Sequence, residues 1–569
     1  MIQLAGPAPA FSPNGDGRQD VAQLALKFGV ADDATVDVID ADAQPVRRLA
    51  SEVPVAPGRL LRLRWNGRTD AGTRAPDGRY RLRVALRRRG LSVVVGGRIL
   101  LDTRPPRPRV RAIKPSNVIG AGPVQIVMRR VSPRFPTQLA ILRTDQGAPH
   151  QVAAFSAPPG ARQATWDGKV GGLPAPPGVY LVRLSVRDRA GNVGTVPRAI
   201  EPGAVPGAPG ITVRGIAAQP PLRPVTAGTR AELFVDARHR PYRWVLRRVG
   251  ARHAAARGRA AADQARLSVR VPRGPSGAYL LWLHAGRYST TVPILVQSTR
   301  RSRVLVVVPA ISWLGSDPVD DPPFDGVPNT LADGGPVQWP RVMSGPPAGF
   351  RQQVAPLLAF LDRHHVSYDL TSDLDLALSG NPRATDRPGV LLAGSEVWVP
   401  RELAQRLRRY VTDGGRVAEL GTNSLRRTVT LRTGPGGNGG ELVRPTQPGA
   451  EDAFGARLSA RTTDGPATLT AIDGNPNYGL LTGIVSLPGF SSFEESAPPQ
   501  PPARLLVGVG QQVSGRPAIT AVQLGKGLVV RVGVTAWASG LRHPAVAQVT
   551  LNVFDLLRGA TPRIRTTSP

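Results

Sequence analysis

Carboxylate side chains that follow two apolar runs are the residues of this chain best placed to do chemistry. Glu396 comes shortly after the run at 390–393. Four aspartates follow the run at 304–308: Asp317, Asp320, Asp321 and Asp325. Carboxylates at the carboxyl end of buried strands can bind a hard cation or act as a general base. We favour a catalytic role for Glu396, and for the aspartates we favour the alternative of a solvated acidic loop.

A second candidate site lies near the N-terminus, in the stretch FSPNGDGRQD at 11–20. Asn14, Asp16 and Asp20 offer oxygen atoms for calcium in a tight, glycine-rich loop. An EF-hand would also need a bidentate glutamate at its twelfth position, and the sequence has none there. An Asx-rich turn that caps the first strand explains the same residues. Both interpretations stand.

The sequence excludes several other kinds of site. With no cysteine, the chain has no disulfide, no Cys-ligated zinc and no thiol nucleophile. Its 7 histidines form no HExxH pair, and the chain has no G-x-S-x-G elbow. The glycine-rich stretch 434–440 lacks the Lys-Ser/Thr of a phosphate-binding loop, so we interpret it as a flexible loop.

The positive charge belongs to the first half of the chain. Residues 1–302 hold 48 Lys and Arg against 18 Asp and Glu, which is +30 of the total net charge of +33. This charge would attract an anionic polymer, with a cell-envelope polymer as the candidate partner. The alternative, which the sequence favours, is that the arginines lie on the solvated faces of strands. Nucleic acid is not favoured, because the arginines alternate with apolar residues along strands and only 5% of residues are aromatic. No apolar run approaches the roughly 20 residues of a membrane helix.

The elements that must position these residues are of two kinds. In the first half, a pattern recurs after about one hundred residues: Trp65-Asn66-Gly67 with Pro76-Asp77-Gly78-Arg79-Tyr80, and Trp166-Asp167-Gly168 with Pro176-Pro177-Gly178-Val179-Tyr180. Such turns between alternating strands predict β-sandwiches of that size. A weaker third copy, Pro275-Ser276-Gly277-Ala278-Tyr279, lacks the tryptophan turn.

From residue 303 the pattern changes to strands alternating with helices. Apolar runs at 304–308 and 390–394 predict strands that are buried on both faces, and 350–364 and 400–411 have helical spacing. Further strands are predicted at 417–420, 518–523 and 528–533, with a closing helix at 544–557. This order predicts a parallel, three-layer α/β domain.

Two family resemblances refine this description. The repeated W-[ND]-G…P-x-G-x-Y string and the opening at 11–20 resemble the Ig-like domains of flagellar hook-capping proteins and of many secreted bacterial proteins. The strings at 304–313, 368–376, 394–403, 413–423 and 533–538 resemble, in order and spacing, the C-terminal domain of the N,N-dimethylformamidase large subunit. That second resemblance implies a glutamine-amidotransferase-like fold and amide hydrolysis at an iron held by two tyrosines and a glutamate.

This chain departs from the family at those iron ligands. Where the family has its first tyrosine, just after the motif that matches Ser312-Trp313, this chain reads Gly315-Ser316-Asp317, and Trp398 stands at the second tyrosine. Glu494 is a possible remnant of the glutamate. An indole offers no oxygen ligand, so we expect that the family's iron is not bound. The remaining ligand-pocket candidates from the matching strings are Trp313, Asp317, Trp398, Asn423 and Trp537.

The sequence therefore predicts a multidomain β plus α/β protein. We expect about three Ig-like β-sandwiches at 1–102, 103–202 and 203–300, a dimethylformamidase-like domain at 301–560, and a tail at 561–569. Three functions remain open: a secreted or cell-surface binding or scaffolding protein, an amide hydrolase with a rebuilt site, and a polyanion-binding surface protein. The stretch MIQLAGPAPAF has no signal-peptide pattern, so a secreted chain would need a start other than Met1.

Overall fold

The computed structural model describes residues 2–119, 122–200, 210–322, 325–343, 345–379, 386–437, 439–497 and 499–564. The chain is mostly β-sheet and forms two compact units. Residues up to 200 make up nearly all of the first unit, and residues from 212 onward make up nearly all of the second. The predicted boundary at 202/203 and the last five residues of the predicted tail lie outside the described residues.

The first part of the first unit is a sandwich of two sheets. One sheet has the order β1-β3-β6 and the other β2-β8-β7-β4-β5. Alternate residues point inward to a core that contains Phe11, Trp65 and Tyr80. The strands are β1 (Ile2–Leu4), β2 (Ala10–Phe11), β3 (Ala22–Phe28), β4 (Asp32–Ile39), β5 (Pro45–Val55), β6 (Leu60–Trp65), β7 (Gly78–Leu86) and β8 (Leu91–Leu101).

A second sandwich follows in the same unit. It pairs the sheet β14-β11-β9 with a sheet in which β12 lies between β13 and β17, and β18 pairs with β17. The strands are β9 (Arg109–Lys114), β10 (Asn117–Ile119), β11 (Val124–Arg129), β12 (Thr137–Arg143), β13 (His150–Ala157), β14 (Gln163–Trp166), β15 (Lys169–Val170), β16 (Leu173–Pro174), β17 (Gly178–Arg187) and β18 (Val193–Val196).

The repeated sequence pattern makes the same contacts in both sandwiches. The indole N–H of Trp65 donates to the carbonyl of Arg68 at 2.9 Å, and that of Trp166 donates to the carbonyl of Lys169 at 3.0 Å. The ring of each tryptophan contacts the tyrosine of its own P-x-G-x-Y string, with 4.8 Å between the ring centroids for Trp65–Tyr80 and 5.7 Å for Trp166–Tyr180. The tryptophan turn therefore fixes the start of the tyrosine strand in each copy.

The second unit begins with a third sandwich. Its sheets have the orders β20-β22-β25 and β21-β27-β26-β23-β24. Its strands are β20 (Ala217–Gln219), β21 (Val225–Thr226), β22 (Arg230–Asp236), β23 (Tyr242–Arg248), β24 (Ala256–Ala260), β25 (Arg266–Arg270), β26 (Gly277–Ala285) and β27 (Tyr288–Gln297), and β19 (Gly210–Arg214) comes before them in the chain.

The rest of the second unit is built on a nine-stranded mixed sheet, in the order β30-β28-β31-β33-β40-β39-β38-β36-β37, and on a smaller sheet, in the order β29-β35-β34-β32. The first five strands of the large sheet are parallel, and the last four continue it antiparallel. Its strands and helices are β28 (Val304–Val308), α1 (Ala310–Ser316), β29 (Val337–Trp339), α2 (Ala355–Arg363), β30 (Asp369–Ser372), α3 (Asp373–Leu378), β31 (Gly389–Ala393), β32 (Trp398–Pro400), α4 (Arg401–Thr412), β33 (Arg416–Leu420), β34 (Arg427–Thr433), β35 (Gly440–Val443), β36 (Leu458–Gly474), β37 (Ser486–Ser496), β38 (Ala503–Gly510), β39 (Pro517–Leu524), β40 (Gly527–Val532) and α5 (Pro544–Arg558).

Helices cover both faces of the parallel strands. Val304, Val306 and Val308 of β28 belong to the core that includes α2 and α5, whereas Leu305 and Val307 belong to the core that includes α4. An uninterrupted apolar strand is stable here because neither of its faces meets water. The third sandwich shares the first of these cores, so no separate core divides it from the mixed sheet.

Candidate functional site

The carboxyl ends of the parallel strands gather buried ionisable side chains at one edge of the mixed sheet. Asp373 follows β30 directly and Glu396 lies three residues beyond β31. Glu419 and Arg531 lie near the carboxyl ends of β33 and β40. All four side chains belong to residues that are at most 2% exposed. This is the edge at which open α/β sheets usually bind their ligands.

Glu396 and Asp373 form a buried carboxyl pair, with a hydrogen bond between their side chains. The backbone N–H groups of Ile311 and Leu374 donate to Asp373 Oδ1 at 3.0 and 2.7 Å. Burial raises the pKa of Asp373 to about 6, although its hydrogen bonds oppose this shift. Burial and the neighbouring Asp373 charge raise the pKa of Glu396 well above its usual range. At neutral pH the pair therefore holds one proton between two carboxyl groups.

The backbone around Glu396 is fixed by contacts from three directions. The Glu396 N–H donates to Ser424 Oγ at 3.2 Å, and its carbonyl accepts from the N–H of Leu425 at 2.8 Å. One residue earlier, the Ser395 N–H donates to Gln353 Oε1 at 3.1 Å. Glu396 is thus held rigidly, with one carboxyl oxygen, Oε1, unpartnered within the part of the chain that the structure describes.

Arg531 lies at the centre of a second buried group. Its Nη1 is 3.0 Å from Glu419 Oε2 and 3.0 Å from Asp452 Oδ2, and its Nη2 is 2.7 Å from Glu494 Oε2. Burial raises the pKa of Glu419 to about 8, despite the opposing charge of Arg531. Burial disfavours the charged form of Arg531, but the three carboxylates together raise its pKa. Three carboxyl groups therefore share one cation, and the raised pKa of Glu419 means that this carboxyl group is largely protonated at neutral pH.

The structure places Glu494 and Asn423 together. The Asn423 N–H donates to Glu494 Oε1 at 2.9 Å, while Glu494 Oε2 accepts from Arg531. Both carboxyl oxygens of Glu494 are therefore already bound to protein donors. Asn423 contributes its backbone N–H, from a left-handed conformation with φ 54°.

The three candidate tryptophans are core residues, each at most 4% exposed. Trp313 packs edge-on against Phe350, with 5.5 Å between ring centroids. Trp537 stacks on Phe490 and donates from its indole N–H to Thr550 at 3.1 Å. The backbone N–H of Trp398 donates to Ser312 Oγ at 3.2 Å. These contacts make the tryptophans part of the packing around the edge.

The expectation of a solvated acidic loop after β28 is wrong for two of the four aspartates. Asp320 is fully buried, and its Oδ2 accepts from the Gly326 N–H at 3.0 Å. Asp321 is 5% exposed and pairs with Arg341 at 2.9 Å. Asp320 thus finds a donor within the loop, and Asp321 finds its donors in and just after β29, at Gln338 and Arg341. Burial raises the pKa of Asp320 to about 7.

The other two aspartates of that loop have separate surroundings. Asp317 is half-buried, and its backbone carbonyl accepts from Arg341. Asp325 Oδ1 accepts from the Val327 N–H at 3.0 Å. Neither contact brings its carboxyl group to the Glu396–Asp373 pair.

The N-terminal candidate loop has the contacts of an Asx-rich turn. Asp20 accepts from the N–H groups of Gly15 and Gly17 at 2.7 and 2.8 Å. Asn14 Oδ1 accepts from the Asp16 N–H at 3.0 Å, and Asp16 Oδ1 accepts from the Arg18 N–H at 2.8 Å. Calcium binding by this loop stays a prediction. Over the described ranges, no group of three or more His, Asp or Glu is arranged to hold a metal ion.

Sequence reasoning singled out Glu396, Glu494 and Asn423 but not Asp373 or the other members of the Arg531 cluster. Asp373 lies in the matched string YDLTSDLDL, and Asp452 lies in a stretch for which we predicted no strand or helix. The sequence does carry a signal for Glu419 and Arg531. Glu419 in Val417-Ala418-Glu419-Leu420 and Arg531 in Val529-Val530-Arg531-Val532 each interrupt an otherwise apolar strand. A single charge in such a strand predicts a buried partner of opposite charge.

Comparisons with known proteins give no family for the chain. No family model matches it, and no curated protein matches it significantly. Among solved structures, the chicken CNTN1 FN1–FN3 domains match with 11% identity, 52% coverage of this chain and 97% of that chain, and a TM-score of 0.17. A marsupial T cell receptor matches with 11% identity, 52% and 99% coverage and a TM-score of 0.22. The human OSCAR ligand-binding domain matches with 16% identity, 34% and 93% coverage and a TM-score of 0.20. TM-scores this low do not establish a shared fold.

Within the described part of the chain, every helix is too short or too polar to cross a membrane.

Proposed function

We propose that this chain is a secreted or cell-surface multidomain protein that binds or scaffolds rather than catalyses. Its basic Ig-like sandwiches carry a dimethylformamidase-like, glutamine-amidotransferase-like α/β domain that has lost the family's iron site. The observation that carries this proposal is the Arg531 cluster, in which Glu494 is bonded to a buried cation at 2.7 Å. A cation at that position repels a metal ion instead of inviting one.

The residues at the family's ligand positions do not fit iron. Trp398 has no oxygen to offer, and both oxygens of Glu494 accept hydrogen bonds from Arg531 and Asn423. Iron with phenolate and carboxylate ligands would need a phenol in place of the Trp398 indole and a Glu494 carboxylate with free oxygens. A chain that keeps the domain but fills its site with an ion cluster is better suited to binding than to turnover.

The metal content of the purified full chain tests this proposal. We expect no stoichiometric iron by mass spectrometry of the metals, and no release of dimethylamine from N,N-dimethylformamide. Stoichiometric iron that is lost in Glu494→Gln would overturn the proposal. Glu495→Gln is the matched control, because Glu495 is equally buried but pairs with Arg461 instead of Arg531.

One observation favours an amide hydrolase as a second candidate function. The Glu396–Asp373 pair holds a shared proton, which is the arrangement that lets one carboxyl group act as an acid and the other as a base. Glu396 is only 1% exposed, so substrate would reach it only after the covering loops open. Hydrolysis of small amides that is abolished in Glu396→Gln, with the fold intact, would establish this function. If the chain hydrolyses none of a panel of small amides, binding stays the proposed function.

The partner that we propose for the binding function is an anionic polymer of the cell envelope. Residues 1–302 have a net charge of +30, which draws such polymers to the surface at low and moderate salt. The binding of the full chain to anionic polymers at rising NaCl concentration tests the partner class. Binding that is independent of salt would contradict it.

A further inference from the structure

The outer face of the three-stranded sheet β14-β11-β9, in the second sandwich, concentrates positive charge that has no counterpart. Arg109, Arg111 and Lys114 of β9 are exposed, as is Arg129 of β11. Between residues 103 and 144 the chain has nine basic residues and no acidic one. Across the described part of the chain, none of these four side chains forms an ion pair.

Strand register places two of these arginines against each other. Arg129 is the direct partner of Arg109 across the β11–β9 pair. Side chains so placed have Cβ atoms about 5 Å apart, and like charges at this separation repel each other. The register shifts between Val127 and Met128, so that Arg111 is an extra residue of β9 and adds a third guanidinium beside the pair.

One sheet of the first sandwich compensates such charge within itself. There Arg48 and Arg83 flank Asp37 at 2.9 and 3.3 Å, so each guanidinium has a carboxylate within the same sheet. The face of β14-β11-β9 lacks this compensation. An anion from outside the chain would supply it.

The neutral residues of the same face identify the kind of anion. Gln125 pairs across the strands with Lys114 on one side and Thr165 on the other, and its Nε2 donates to Gln163 Oε1 at 3.0 Å. Amide and hydroxyl groups beside cations match a polymer that alternates hydroxyl groups with negative charges. None of the outward residues of these strands is aromatic, so bases would find nothing to stack on.

We propose that this face, made of Arg109, Arg111, Lys114, Gln125, Arg129 and Gln163, is a binding surface for an anionic polysaccharide. The guanidinium groups bind its carboxylate, sulfate or phosphate groups, and the amides bind its hydroxyl groups. This inference rests on the proposed binding function and gives its partner a chemical class and a location. The open face of a sheet suits an extended chain, because charges of the polymer can meet the cations of β9 and β11 while its hydroxyl groups meet β14.

Binding of the full chain to polygalacturonate, with Arg109→Gln/Arg129→Gln as the variant, tests the surface. Losing two guanidinium contacts should weaken binding about tenfold at moderate salt. Arg62→Gln/Arg64→Gln is the matched control, because it removes two exposed arginines from the outer face of another three-stranded sheet of the same unit. That control should weaken binding less than twofold. The unfolding midpoint of Arg109→Gln/Arg129→Gln should not fall, because the substitution relieves a repulsion.

The outcomes separate this inference from the proposed function. Equal losses in the two double variants would overturn the surface but keep an anionic polymer as the partner. Tighter binding of oligothymidylate than of polygalacturonate would overturn the polysaccharide. No binding of any polyanion by the unmodified chain would overturn both the surface and the proposed partner class, while the iron measurement decides the rest of the proposed function independently.

Discussion

At the scale of single residues, Arg531 is the side chain on which the buried edge of the mixed sheet depends most. Its guanidinium contacts three carboxylates that belong to β33, to β37 and to the loop before β36. Arg531→Met would leave these carboxylates buried without a cation. Removing one partner of a buried ion pair costs about 3–5 kcal/mol, so we expect a loss of this size in the free energy of unfolding of the second unit. Denaturant unfolding followed by tryptophan fluorescence measures it.

The control for this prediction is Arg516→Met. Arg516 is exposed in the turn before β39 and forms no ion pair within the described residues. Its substitution should change the free energy of unfolding by no more than about 0.5 kcal/mol. Similar losses for Arg516→Met and Arg531→Met would show that the cluster does not have the stabilising role that its contacts predict.

Glu419 gives the stability a pH dependence of defined sign. Burial raises its pKa from 4.5 to about 8, so between these two values the folded state keeps a proton that the unfolded state releases. The free energy of unfolding must therefore fall as pH rises through this window, by at most about 1.4 kcal/mol per pH unit from this group. Glu419→Gln has no such proton to lose, and we expect its stability relative to the unmodified chain to increase steadily from pH 5 to pH 8.

Unfolding curves at several pH values measure this difference directly. Other buried carboxyl groups with a raised pKa, such as Asp320, also lower the free energy of unfolding as pH rises. Only the difference between the two chains therefore isolates the contribution of Glu419. Glu402→Gln, at an exposed position in the first turn of α4, is the matched control. A constant difference for Glu419→Gln would mean that Glu419 is ionised throughout the range.

At the scale of elements, the ends of β31 and β33 meet at a single glycine. A Cβ atom on Gly421 would lie 2.3 Å from the carbonyl oxygen of Gly394, which is backbone and has little freedom to move. Gly421→Ala should push the two strand ends apart and lower the free energy of unfolding by about 1–3 kcal/mol. The same shift would disturb the loop that holds Glu396.

Gly465→Ala is the matched substitution, because a Cβ there meets nothing within 4 Å. Thermal unfolding of the two variants gives the comparison. We expect the midpoint of Gly465→Ala to stay near that of the unmodified chain. A Gly421→Ala variant that is as stable as Gly465→Ala would show that the strand ends have room to separate.

The sequence predicted the elements of the second unit better than the contacts between them. The apolar run at 304–308, the helix at 400–411 and the closing helix at 544–557 lie within about one residue of β28, α4 and α5, because local periodicity and turns determine them. Asp373 could not be paired with Glu396 in this way, because their approach depends on the strand order β30-β28-β31. The long antiparallel strands β36 and β37 were missed because polar residues interrupt the apolar pattern of both, and β36 is largely exposed.

At the scale of the whole molecule, the third sandwich and the mixed sheet form one compact unit. The sequence separates 203–300 from 301–560, but the third sandwich and the mixed sheet share one core. Arg248 of β23 reinforces this union, since its Nε and Nη2 donate to Asp362 of α2 at 2.7 and 2.9 Å. Elements that share a core and partly buried ion pairs unfold together. We therefore expect the third sandwich and the mixed sheet to unfold in a single transition.

Two matched truncations test this shared transition. Leu82 and Leu281 occupy the same position after the repeated tyrosine, and they are 3% and 0% exposed. Leu281→Ala should destabilise the same transition as Arg531→Met, with a loss of about 2–5 kcal/mol in the free energy of unfolding, because the third sandwich has no core of its own. Leu82→Ala should leave that transition unchanged, since its core lies in the first unit. Differential scanning calorimetry makes the comparison. If Leu281→Ala instead moved a separate transition, with the Arg531 transition unchanged, the third sandwich would be an independent domain, as the sequence alone indicates.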